Sequence, residues 1–122
     1  MSMAANVLVG LIAVEHVWIL VLEMFLWTTP RGLKAFGNTR EKAETMALMA
    51  KNQGLYNGFL AAGLFWGLFL GEGVEAWHIK LYFCGCVLVA GVYGFATVRL
   101  KTILFGQAIP AALALLLLVL AR

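Results

Sequence analysis

Of the 122 residues 63% are hydrophobic and only 12% are charged, giving a formal charge of +3. Soluble domains carry about 25% charged residues, and a chain this short cannot hide so much apolar surface from water, so an integral membrane protein of one domain, residues 1–122, is expected. The positive charge is too small to argue for nucleic acid, so no such partner is expected.

The first apolar stretch runs from Ala4 to Trp27, AANVLVGLIAVEHVWILVLEMFLW, long enough to cross a bilayer yet carrying Glu15, His16 and Glu23. A charge near the centre of such a helix costs about 2.5–3.5 kcal/mol on insertion scales, so these groups need partners, water or proton uptake. Helical spacing puts His16 and Glu23 on one face with Leu20 and Trp27, and Glu15 roughly 100° round from His16. No Lys or Arg precedes the run and Glu15 interrupts it, which argues against a cleavable signal peptide.

Thr28-Thr29-Pro30 ends this span, with Arg31-Gly32 as loop and Trp27 at an interface. The hydrophilic segment from Arg31 to Lys51 follows. Asn38 with Glu41 reads as a cap, predicting a short amphipathic helix from about Thr39 that leads into the second span, with Phe36 anchoring the preceding turn. The second span, Asn52 to Leu70, opens with Asn52, Gln53, Tyr56 and Asn57. It carries two small-residue ladders, Gly54-Gly58-Ala62 and Gly63-Gly67-Gly71, at the spacing that lets helices approach closely; these faces would serve neighbours in the chain or a homodimer.

A short connection holding Glu72, Glu75, His78 and Lys80 leads to the third span, Trp77 to Thr97, with Trp77 and Tyr82 as an interfacial belt. Cys84 and Cys86 suit neither a disulfide nor a closed zinc site and read as small buried hydrophobes. After the basic turn Val98-Arg99-Leu100-Lys101, the fourth span runs from Thr102 to Leu120, where Pro110 should kink the helix and free the carbonyl of Gly106. Arg31, Lys34, Arg40, Lys42, Lys51, Arg99 and Lys101 flank one side, and Lys80 and Arg122 the other. The positive-inside rule then puts both chain ends outside. The expected fold is an all-α, four-helix membrane bundle.

On this drawing Glu23 lies about 6 Å deeper than Trp27 and Glu15 about 18 Å deeper. Antiparallel pairing of spans one and two brings Glu23, Gln53 and Asn57 to one depth. The strings EHVWILVLEMFLWTTPRG and NQGLYNGFLAAGLFWG, with Phe36 between them, resemble a family of small bacterial four-span membrane proteins known as domain of unknown function thirteen-oh-four. The resemblance covers essentially the whole chain. It implies a bacterial inner-membrane location, and it sets Glu15, His16, Glu23, Trp27, Asn52, Gln53, Asn57 and Gly58 inside the family's two motifs without implying a reaction.

The candidate site is therefore a polar cavity of Glu15, His16, Glu23, Asn52, Gln53 and Asn57, walled by Trp18, Trp27 and Tyr56. It would take a small or lipid-like ligand and exchange protons in the physiological range, because burial penalises charged forms. His16 and Glu23 are about 10 Å apart along the axis, too far to share a metal ion, so no metal is expected. No redox-cofactor or phosphate-loop signature is present, so no cofactor is expected. Three roles fit these residues: proton-coupled transport, acid/base chemistry on a lipid such as double-bond isomerisation, and a purely structural network. A membrane-embedded glutamate in the first of four short spans also occurs in small multidrug resistance transporters, but their weak charge bias is not seen here.

Overall fold

In the computed structural model, residues 2–121 are described, and their regular structure is all helical, with no strand among them. The elements are α1 (Met3–Met24), α2 (Pro30–Phe36), α3 (Arg40–Thr45), α4 (Ala47–Phe69), α5 (Val74–Val98), α6 (Lys101–Ile103), a π-helical stretch (Leu104–Ala108) and α7 (Ile109–Leu120). Among the described residues, three helical stretches are long and apolar enough to cross a membrane: Met3–Met24, Val74–Val98 and the combined Lys101–Leu120. At 23 residues α4 has the length for a crossing, but Asn52, Gln53 and Asn57 make its first half polar, and it is not one of the three. Arg122, counted above among the basic residues, lies outside the described residues.

The chain forms two compact units: residues 2–13 with 60–121, and Val14–Phe59. The first has its core in Ala5, Val9, Ile12, Ala13, Leu64, Cys84, Val87, Ala111, Ala114 and Leu118. Four of these ten are alanines, which suits helices that gain stability by close approach. Gly63 and Gly67 of α4 face α5: a Cβ at Gly63 would strike the Phe83 ring, and one at Gly67 would lie 2.8 Å from Lys80 Cγ. Gly91 of α5 meets backbone, with Ala108 N only 2.7 Å from where its Cβ would be. The Trp77 indole donates to Leu118 O at 2.9 Å, and its ring is partly buried against this core. Cys84 is buried and Cys86 half-buried, and both are free thiols.

Proline acts on the last helix as its chemistry dictates, though the outcome is a widening. Pro110 has no N–H to give the Gly106 carbonyl, and the helix takes up the mismatch as the π-helical stretch just before it, where Ile109 N donates to Leu104 O. The turn at Val98–Lys101 is made by Arg99, held in the left-handed region at φ 66° with its N–H on Phe95 O.

In Val14–Phe59 the segment after α1 differs from the expected loop. Pro30 opens a helix: Thr29 Oγ1 accepts from Gly32 N at 3.3 Å, and proline at the first helical position loses no hydrogen bond. Gly32 is buried where any Cβ would strike the carbonyls of Leu26 and Trp27. Gly37 ends α2 in the left-handed region at φ 65°. Thr39, one residue after the expected Asn38, caps α3 by accepting from Lys42 N. The chain then breaks at Met46 before α4, so the amphipathic helix and the next long helix are separate elements.

Candidate functional site

Every residue predicted for the site falls within Val14–Phe59. Gly54 and Gly58, one turn apart on α4, let it approach the end of α1: a Cβ at Gly54 would lie 2.6 Å from Met24 Cγ and 3.2 Å from Glu23 Cβ, and one at Gly58 would lie 2.6 Å from Leu20 Cδ1. Both glycine pairs on α4 are thus filled by neighbours in the same chain. Across this second contact Asn57 Nδ2 donates to Glu23 Oε1 at 2.6 Å, and it also reaches the Gln53 carbonyl at 3.1 Å. A hydrogen bond this short to a carboxyl oxygen is at the strong end of its class.

Two turns earlier on α1, His16 is fully enclosed, with none of its surface exposed. Its Nδ1 lies 3.8 Å from Glu15 Oε1, beyond hydrogen-bond reach. Glu15 keeps about a third of its side chain exposed, yet Oε1 itself is buried and meets no hydrogen-bond partner among the described residues. A buried oxygen without a donor calls for an explanation, because native structures rarely leave one.

The remaining predicted residues are spread more widely. Asn52 and Gln53 are exposed, and Tyr56 is exposed with its ring 6.1 Å from that of Phe59. Trp27 ties the end of α1 to α2 and α3: its indole donates to Ala43 O at 2.8 Å and its ring packs on Phe36 at 4.9 Å. Trp18 is 43% exposed, and the Arg31 guanidinium lies 5.9 Å from its ring centre. Arg31 therefore turns to an aromatic face rather than to Glu23.

The pattern of the family described as "Protein of unknown function (DUF1304)" matches residues 10–119. The chain belongs to this family. A Lactococcus lactis subsp. lactis (strain IL1403) protein described as "Uncharacterized protein YpaA" is 30% identical over 106 residues, 85% of this chain and 87% of that protein. No solved structure matches.

Sequence reasoning missed one polar group of this DUF1304 chain. Lys80, expected at a membrane boundary, is fully enclosed in the other unit, where Nζ donates to Asn6 Oδ1 at 2.8 Å and to Gly71 O at 3.2 Å. Asn6 in turn reaches Glu72 Oε1 at 3.5 Å. The acceptors stand 74 and 9 residues away in sequence, so no local spacing announces them.

Proposed function

We propose that this DUF1304 chain crosses the bacterial inner membrane four times, through segments 4–27, 52–70, 77–97 and 102–120, with both ends outside. In this reading Glu15, His16, Glu23 and Asn57 form a proton-exchanging site for a small amphipathic cation. Asn52, Gln53 and Tyr56 line its polar approach. The observation that carries it is the contrast between two acids on one helix: Glu23 has its Asn57 donor at 2.6 Å, while Glu15 Oε1, beside an enclosed histidine, has none. An acid oxygen in that position is completed by its own proton or by a guest cation, and exchange of one for the other links binding to proton release. Proton-coupled movement of such a cation is the activity this linkage supports.

The test uses tetraphenylphosphonium as the cation and the full chain in detergent micelles. Binding by equilibrium dialysis, with proton release followed by a pH dye in weak buffer, should show both signals in the wild type and a loss of proton release in Glu15→Gln and Glu23→Gln. If both variants bind the cation and release protons as the wild type does, the site reading is wrong and the carboxyls serve packing alone.

A further inference from the structure

We infer that Arg31 and Trp18 form a headgroup clamp for an anionic phospholipid, with the guanidinium on the lipid phosphate and an acyl chain along α1. The inference rests on the membrane embedding of α1 and is independent of the acid site proposed above.

Arg31 carries five N–H donors in a planar fork suited to phosphate. Among the described residues its only partner is the Trp18 ring, at 5.9 Å. Glu23, the nearest acid in sequence, is engaged by Asn57. An aromatic face leaves the edge of the fork free, so the ring orients the guanidinium without consuming its donors. Local chain chemistry builds this arrangement: the Thr29 cap and Pro30 start α2 directly after α1 ends, which returns Arg31 toward α1.

The surface beside the fork is apolar and open. Val14 and Trp18 stand one turn apart on α1 and are 58% and 43% exposed, and Phe25, just past its end, is 70% exposed. A soluble phosphate would gain nothing from that stripe, whereas a lipid places its chain there while its phosphate meets Arg31. The charge balance selects the lipid class. Val14–Phe59 carries exposed Arg31, Lys34, Arg40, Lys42 and Lys51 against exposed Glu41 and Glu44, an excess that favours an anionic headgroup over a zwitterionic one.

The test places the full chain in phosphatidylcholine vesicles containing either brominated phosphatidylglycerol or brominated phosphatidylcholine, and reads tryptophan quenching. The difference between wild type and Trp18→Phe isolates the Trp18 signal. Phosphatidylglycerol should quench that signal with about fivefold preference, Arg31→Gln should reduce the preference to none, and Arg31→Lys should leave an intermediate value. Equal quenching by both lipids in the wild type, or an undiminished preference in Arg31→Gln, overturns the clamp. Should Arg31→Gln lose its helical circular dichroism, the decision passes to Arg31→Lys: an unchanged preference there removes the role of the planar fork, and a reduced one supports it.

Discussion

The two units close their helix contacts with the same parts and leave their polar groups in opposite conditions. In residues 2–13 and 60–121, Gly63 and Gly67 admit α5, and an asparagine meets a charged side chain, Asn6 to Lys80. In Val14–Phe59, Gly54 and Gly58 admit α1, and again an asparagine meets a charged type, Asn57 to Glu23. The lysine is sealed and supplied with a side-chain and a backbone acceptor. The acid cluster is half open and leaves Glu15 Oε1 without a donor. A satisfied polar group in a low-dielectric setting holds a structure in one state, whereas an unsatisfied one favours a change of protonation or occupant. That difference is why the acids, and not the lysine, are taken as the working site.

The largest effect should come from removing the sealed charge. Lys80→Met keeps the length of the side chain and leaves Asn6 Oδ1 and Gly71 O without their donor, which should cost about 2–4 kcal/mol. Denaturant unfolding in micelles followed by circular dichroism measures it. A loss within error of zero would mean that the lysine contact is not a structural joint and would erase the contrast. Next come the glycines. A Cβ at Gly67 would lie 2.8 Å from Lys80 Cγ, 3.3 Å from Ile79 Cγ2 and 3.4 Å from Lys80 N, so Gly67→Ala should destabilise by about 1–3 kcal/mol. Gly58→Ala meets only the end of Leu20, at 2.6 Å; that side chain can change rotamer, and the cost should stay below about 1 kcal/mol. Equal losses at the two positions would show the two contacts to be equally rigid.

Much of the fold was legible because its signals are local. The long apolar stretches, the basic turn closed by Arg99, the glycine spacing on α4 and the start of α3 follow from composition and from spacings of three and four residues. The opening of α2 was also local but ambiguous: Thr-Pro ends one helix and can begin the next, and only the return of the chain decides between them. Of the site, the meeting of Glu23 with Asn57 follows from the depth argument for antiparallel helices. The outward position of Trp18 does not, since two residues turn a helix by about 200° and place it away from the enclosed His16. Lys80 was illegible for a different reason: its partners are brought to it by packing.

The smallest effect on stability is expected where the largest effect on function is. Glu15→Gln exchanges a carboxyl for an amide of nearly the same shape, at a position where Oε1 accepts nothing and His16 Nδ1 stands 3.8 Å away. No hydrogen bond is lost, and a group whose charged form is costly in an apolar setting is replaced by one that is always neutral, so stability should change by less than about 0.5–1 kcal/mol and in the favourable direction. Glu23→Gln alters the acceptor of the 2.6 Å bond from Asn57 and should cost about 1 kcal/mol more than Glu15→Gln. Paired unfolding curves for the two variants, run beside proton release on tetraphenylphosphonium binding, separate the roles. Glu15→Gln should fold as well as the wild type and release no proton. A destabilisation as deep as that of Lys80→Met would instead make Glu15 a structural joint like the lysine, and the distinction between the two units would then be one of charge sign alone.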